Sequence, residues 1–264
     1  MSVSGTWKNA YGSTMSLYVY GSGLVLGQYQ SSTGSTGTYA VIGCQGPADP
    51  GPTAGQPVAL AIDWHSIVPG PPDNSWHWAS GLSGQLSVST SGGPPSLVLA
   101  HAMVATATLA FPGGAIDPGT YIDKLVYAPV ADAPLPGAGE QPGAGDPIAS
   151  PLNGRWLGSD GSVLTLNVSS AYSSAFGWVL GTYQVNGGLW DVAGVTDINA
   201  YGQGVPLESV ALTLVDGAGH AIALAGTLQL QSMKLTLSRL TSVATLPSVT
   251  YAQTMIDAVT FTAG

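Results

Sequence analysis

Val25-Leu26-Gly27-Gln28-Tyr29-Gln30 returns later in the chain as Val179-Leu180-Gly181-Thr182-Tyr183-Gln184. Each copy reads as a strand-like run between turn signals. Working outward from the pair, Gly5-Thr6-Trp7 is echoed by Gly154-Arg155-Trp156, and Gly12-Ser13 by Gly161-Ser162. Leu82-Ser83-Gly84 matches Leu224-Ala225-Gly226, and Thr120-Tyr121 matches Thr250-Tyr251 ahead of a short apolar run. The order never changes, so the pattern is duplication of a whole domain rather than a short solenoid repeat. Between the copies, Pro129 to Pro151 is rich in Pro, Gly, Ala and acidic residues and lacks any hydrophobic period. That stretch reads as a linker, which gives a first domain over 1–128, a linker over 129–151 and a second domain over 152–264.

Within each half, strand-like runs alternate with turn signals. In the first they are Ser13–Tyr20, Leu24–Gln30, Thr38–Gly43, Val58–Trp64, Trp76–Ser89, Ser96–Leu109 and Tyr121–Val126. In the second they are Ser162–Val168, Trp178–Tyr183, Leu189–Val195, Val210–Val215, Ala221–Leu230, Lys234–Leu240 and Tyr251–Phe261. No window carries a helical period of useful length. The fold class is all-β, and roughly eight consecutive short strands per half suit an antiparallel up-and-down barrel. Strand counting alone fits a β-sandwich nearly as well.

Composition narrows the partners. Charged residues make up 7% of the chain, against a usual quarter, so the surface is built from Ser, Thr, Asn, Gln and Gly. The chain is acidic, with net charge -9 and five Lys and Arg in all. A phosphate-binding face needs clustered cations, so nucleic acid is not an expected partner, and neither is an anionic membrane. No apolar run reaches a membrane span of roughly 20 residues, and the chain as given shows no signal peptide. It reads as soluble, secreted or cytoplasmic, with the compartment open. Cys44, the single cysteine, can pair only between chains and reads first as a small buried strand residue.

Ser4-Gly5-Thr6-Trp7-Lys8-Asn9-Ala10-Tyr11-Gly12-Ser13-Thr14 resembles the opening strand of the avidin and streptavidin family. Leu26-Gly27-Gln28-Tyr29-Gln30-Ser31, Tyr39-Ala40-Val41-Ile42-Gly43, Ala61-Ile62-Asp63-Trp64 and Ser83-Gly84-Gln85 resemble later segments in the family's order. The resemblance covers nearly the whole first half and reaches the second mainly through the first. It implies two tandem barrels, with a binding site for biotin at the mouth of the first. It places Asn9, Ser13 and Tyr29 as donors converging on a ureido oxygen, an arrangement that polarises the carbonyl as an oxyanion hole does. It makes Ser31 an acceptor from a ureido N–H, Trp64 an apolar wall and Ser80 a hydroxyl beside the ligand sulfur. Tyr29 and Ser31 are two apart and so share a strand face.

The departures from the family pattern weaken that site. Leu82 and Met103 stand where aromatic walls are expected, and Tyr121 replaces the tryptophan that a neighbouring barrel contributes. Pro129 or Ala128 falls where a carboxylate or amide accepts the second ureido N–H, and Trp78 takes a small residue's place and narrows the mouth. Avidin-type complexes lie near the affinity ceiling of roughly −18 to −21 kcal/mol. A lost charged hydrogen bond costs roughly 1.5–3 kcal/mol, and each lost aromatic wall about 2 kcal/mol or more. Biotin affinity is therefore expected to be micromolar or absent. In the second half Ser162 and Tyr183 persist, but Gly158 replaces the Asn, Val185 the Ser, and Val215 or a neighbour the Trp64 position. No biotin site is expected there.

The function expected is non-catalytic binding of a small, biotin-like molecule, with no cofactor and no metal. The competing class is a recognition, toxin-type or structural protein that uses the barrel for protein or glycan contacts. Trp76 and Trp78, taken as neighbours on one strand face, read as an aromatic platform for a sugar ring or as a hydrophobic plug or subunit contact. His65, His77, His101 and His220 lack metal-ligand spacing. The acidic residues form no convincing hydrolytic pair, and no Gly-x-Ser-x-Gly elbow occurs. Gly137-Ala138-Gly139 and Gly143-Ala144-Gly145 are linker glycines rather than phosphate loops. The linker tethers the barrels, so they are expected to pair within the chain, and two chains to join as a four-barrel homodimer.

Overall fold

The computed structural model describes residues 2–33, 35–89, 91–111, 114–131, 133, 140, 142–143 and 145–264. Gly137-Ala138-Gly139 and Ala144 lie outside them. The first half forms β1 (Gly5–Asn9), β2 (Thr14–Val19), β3 (Leu24–Ser31), β4 (Gly37–Gln45) and β5 (Gln56–Asp63). A 3-10 turn at Asn74–His77 leads into β6 (Ala79–Ser87) and β7 (Ser96–Ala105). A small hairpin, β8 (Leu109–Phe111) and β9 (Gly114–Ile116), precedes β10 (Gly119–Pro129). The second half forms β11 (Gly154–Gly158), β12 (Val163–Ala171), β13 (Phe176–Val185) and β14 (Gly188–Thr196). It ends with β15 (Leu207–Val215), β16 (Ala221–Gln229), β17 (Lys234–Ser242) and β18 (Thr254–Ala263).

Both halves are closed antiparallel barrels, ordered β1-β10-β7-β6-β5-β4-β3-β2 and β11 through β18. Closure through β1·β10 and β11·β18 removes every free edge and settles the choice between barrel and sandwich. Alternation along the strands sends Trp7, Met15, Leu17, Leu60, Leu82 and Leu99 into the first interior, and Trp156, Leu164, Leu166, Leu212, Leu224 and Leu237 into the second. The echoed glycines mark where strands coil tightly. A Cβ on Gly27 would lie 2.1 Å from the Ser16 carbonyl, and one on its counterpart Gly181 would lie 1.9 Å from that of Thr165. Any side chain there would push the neighbouring strand away.

Two expectations about strands need correction. Ser96–Leu109 is not one strand, because β7 ends at Ala105 and Leu109 belongs to the added hairpin. Trp76 and Trp78 do not share a strand face. Trp76 sits in the 3-10 turn, whereas Trp78 is buried in the barrel and donates its indole N–H to the Ala107 carbonyl at 2.9 Å. The first barrel closes on Pro129, which pairs with Trp7, and Val130 N donates to Thr6 O at 2.8 Å. At the far side of the linker, Pro147 bridges to Ser169, and Leu152 is fully buried in the second core.

The two barrels pack side by side, with β4 to β7 against β14 to β17. Ala59, Ala61, Ala79 and Ala102 face Ala211, Ala223 and Ala225, so small side chains let the sheets approach closely. A Cβ on Gly81 would meet that of Ala225 at 2.8 Å. Polar ties cross the seam. Ser83 Oγ donates to Ala221 O at 2.9 Å, Gln85 Nε2 to Thr245 Oγ1 at 3.0 Å and Gln253 Nε2 to Val98 O at 2.7 Å. His77, at the open end of the first barrel, meets Asp197, at the opposite end of the second, so the barrels run antiparallel. No helix among the described residues is long and apolar enough to cross a membrane.

Candidate functional site

One end of the first barrel gathers most of the residues singled out from sequence, with Asn9, Tyr29 and Trp64 all buried. Asn9 closes β1, and its Oδ1 accepts the Ser13 N–H at 3.0 Å across the tight turn that Gly12 permits at φ 92. Tyr29 projects inward from β3 and meets Trp64 edge-on, with ring centroids 5.8 Å apart. Trp64 is buried, tilted against Tyr39 at 4.9 Å, and donates its indole N–H to Ser80 Oγ at 2.8 Å.

Ser80 is engaged by the two rings beside it. Indole N–H is only a donor, so the Ser80 hydroxyl accepts from Trp64, and the same oxygen lies 2.9 Å from His101 Nε2. Burial pushes the His101 pKa down to about 4, which keeps the imidazole neutral at neutral pH. With both rings on its oxygen, Ser80 is not left free for a ligand. Ser13 is engaged too. Its oxygen accepts the Ser32 N–H at 3.2 Å and lies 3.3 Å from the Ser32 hydroxyl, which itself donates to Tyr11 O. Ser31 folds back to donate to Thr33 O at 2.9 Å. Tyr121 is 39% exposed at the rim and donates to Asp117 O at 2.8 Å, away from the cluster.

The slot beside Asn9 is filled differently from expectation. Cross-strand register pairs Asn9 with Tyr127, and Trp7 with Pro129. Ala128 lies on the outer face and Pro129 is exposed, so neither reaches the interior. Tyr127 is wholly buried beside Tyr29 and Asn9. Its hydroxyl makes no hydrogen bond of ordinary geometry, and burial raises its pKa well above the usual phenol value. The sequence signal for it was present: Tyr127 and Leu125 alternate inward in the apolar run after Tyr121. Tyr39 and His101 were also passed over. The Tyr39 hydroxyl donates to Ser35, which donates to Ser75, which donates to Asp73, linking the barrel interior to the 3-10 turn.

The second barrel's open end is filled by its own side chains. The registers equate Leu60 with Leu212 and Leu82 with Leu224. Counting outward, Trp64 corresponds to Asp216 rather than Val215, Ser80 to Ile222 and His101 to Arg239. Likewise Asp123 corresponds to Asp257 and Tyr127 to Phe261. By the same register Tyr121 corresponds to Met255, so the match of Thr120-Tyr121 to Thr250-Tyr251 is offset by four positions. Arg239 donates to Asp257 through Nε at 2.9 Å and Nη2 at 2.6 Å. Its Nη1 donates to Asp160 at 2.8 Å and to Tyr183 at 3.1 Å. Asp160 is held below the ordinary carboxylate range by its bonds from Ser162 and Arg239, despite an opposing desolvation effect.

Two clefts, of about 610 and 1030 Å³, lie at the barrel junction rather than at either open end. Trp76, stacked on His65 at 3.8 Å, lines the smaller one. Cys44 lines the larger one; it is half-buried, and desolvation pushes its thiol pKa up to about 12. No group of three or more His, Cys, Asp or Glu among the described residues is placed to hold a metal ion. Comparison with models of known protein families finds no match, and no curated protein matches the chain.

Proposed function

We propose that this chain is a non-catalytic binding protein of avidin-like descent, whose first barrel takes a small uncharged ligand and holds biotin weakly or not at all. The second barrel acts as its structural partner. One observation carries the reading: the Tyr127 hydroxyl is buried beside Tyr29 and the Asn9 amide and makes no hydrogen bond of ordinary geometry with either. A buried donor left unpaired is costly, and a ligand carbonyl placed among Asn9, Tyr29 and Tyr127 would satisfy it. Loss of biotin-class affinity follows from the engaged hydroxyls of Ser13, Ser31 and Ser80 and from the phenol that takes the acceptor slot. Calorimetry of the full chain with biotin and with 2-imidazolidone tests this. Micromolar or weaker binding that Asn9→Ala abolishes supports it. Nanomolar biotin binding, or binding indifferent to Asn9→Ala, overturns it.

A second reading is recognition of a macromolecule through the barrel exterior. It is favoured by exposed apolar side chains on β10 and beside it, Ile122 at 53%, Val126 at 50% and Tyr251 at 84%. Lys124 Nζ on β10 donates to Thr250 Oγ1 at 2.9 Å, which brings these two segments together. Absence of binding by either small molecule would leave this reading in place of the first.

A further inference from the structure

From the smaller junction cleft we infer a second binding site, for a neutral saccharide, built jointly by the first barrel's open-end loops and the second barrel's closed-end loops. This site is independent of the Asn9–Tyr127 cluster. Its volume of about 610 Å³ lies within the usual range for small-ligand clefts, roughly 300–1,000 Å³. Its lining combines the aromatic rings of Trp76 and Tyr172 with side chains that both donate and accept hydrogen bonds. That mixture suits a pyranose, which presents an apolar C–H face and a girdle of hydroxyls.

Trp76 supplies the ring on the first barrel's side. His65 stacks against it at 3.8 Å and 30°, which holds the indole in place while it lines the cleft. Asp73 supplies an acceptor held in position. Its Oδ1 takes the Ser75 N–H at 2.8 Å and the Ser75 hydroxyl, at the end of the chain of hydroxyls from Tyr39, and Oδ2 is left to face hydroxyl donors. The second barrel answers with Asn199, whose Nδ2 donates to Ala175 O at 2.7 Å and whose Oδ1 remains an acceptor. Gln203 lines the cleft on the same side and brings an amide that offers both an acceptor oxygen and an N–H₂ donor. Ser173 and Ser174 add two hydroxyls from a tip where three successive non-glycine residues hold left-handed φ, at 45, 59 and 69. Such a conformation persists only where surroundings impose it.

Charge selects among ligands. No Lys or Arg lines the cleft among the described residues. His77, which lines the cleft, is paired with Asp197 at 2.7 Å, so the pair carries no net positive charge in either form of the histidine, and Asp73 adds a negative one. Phosphorylated, sulfated and sialylated ligands are therefore disfavoured relative to neutral hexosides.

The test uses the full chain on an array of neutral and acidic glycans, followed by calorimetry with the methyl glycosides of glucose, galactose, mannose and N-acetylglucosamine. Binding of at least one neutral series is expected, weakened about tenfold or more by Trp76→Ala and several-fold by Gln203→Ala, and unchanged by Tyr127→Phe. Gln203 is exposed, so its variant reports on the cleft even if Trp76→Ala perturbs the turn. No binding to any neutral saccharide, preference for acidic ones, or binding untouched by both cleft variants overturns the inference.

Discussion

The two open ends share a backbone and differ in what fills it. In the first barrel the slots hold His101, Asp123 and Tyr127, and in the second Arg239, Asp257 and Phe261. The imidazole is small, neutral and turned to Ser80, so it makes no bond to Tyr29, Asn9 or Tyr127. The guanidinium is long and permanently charged, and its planar fork ties two carboxylates and Tyr183 together across the mouth. One fold therefore supports a mouth with an unpaired polar group and a mouth sealed by an ion-pair network. Aspartate stands at one of the three positions in both barrels, so the choice rests on the other two, His101 against Arg239 and Tyr127 against Phe261.

The largest expected effect comes from the buried ends opposite the mouths. Register equates Gln56 with Glu208, each 1% exposed. The neutral amide donates to Gly46 O at 2.9 Å, whereas desolvation pushes the Glu208 carboxyl pKa from 4.5 up to about 7, with Thr196 donating to it at 2.6 Å. A carboxyl whose folded pKa is raised favours the folded state at low pH. Its contribution fades as pH climbs from about 4.5 to about 7, and above that range it destabilises by roughly 3 kcal/mol. Glu208→Gln, which installs the first barrel's arrangement, should raise denaturant stability by roughly that amount at pH 8 and leave it unchanged near pH 4. A difference that stays flat with pH would show that the carboxyl does not carry the penalty.

Next in size is the sealed mouth itself. Arg239→Ala leaves Asp257 and Asp160 facing each other without their cation. Breaking a fully buried pair costs roughly 3–5 kcal/mol. Here Arg239, Asp160 and Asp257 keep 20%, 31% and 39% side-chain exposure, so solvent screening brings the expected loss to about 2 kcal/mol. The denaturation midpoint at low and high salt measures it, and the loss should shrink at high salt. A salt-independent loss would mean that packing of the arginine stem, not its charge, holds the mouth.

Some of this was legible in the sequence because it is local or periodic. Strand runs and the preserved order of segments specify two all-β units of about eight strands each, which ring closure makes barrels, and Asn9, Tyr29, Trp64 and Ser80 do gather at one end. What escaped depends on register and on long-range pairing. The family resemblance put Pro129 or Ala128 in the slot beside the ureido site; alternation after Tyr121 turns Tyr127 inward, and cross-strand pairing sets it opposite Asn9. The tie between His77 and Asp197 joins residues 120 apart, and no spacing rule announces it. Trp76 looked like a strand neighbour of Trp78 because Asp73 begins a 3-10 turn through its side-chain cap, a short-range device that alternation conceals.

The smallest effect on stability is the most informative about function. Tyr127→Phe converts the first mouth's slot into the second's, where Phe261 already stands. The hydroxyl is buried and unpaired, so its removal deletes a desolvation cost and no well-formed bond. Stability should stay level or rise by up to about 1 kcal/mol, read from the denaturant midpoint at constant slope. Binding of 2-imidazolidone should weaken in the same variant, because the hydroxyl that lacks a partner in the free protein is the one a ligand carbonyl would engage. Stability and binding thus move in opposite directions, the behaviour of a group kept for a ligand. A variant that loses stability instead would reveal that the Tyr127 hydroxyl already bonds to Tyr29 or Asn9. The first mouth would then be as self-satisfied as the second.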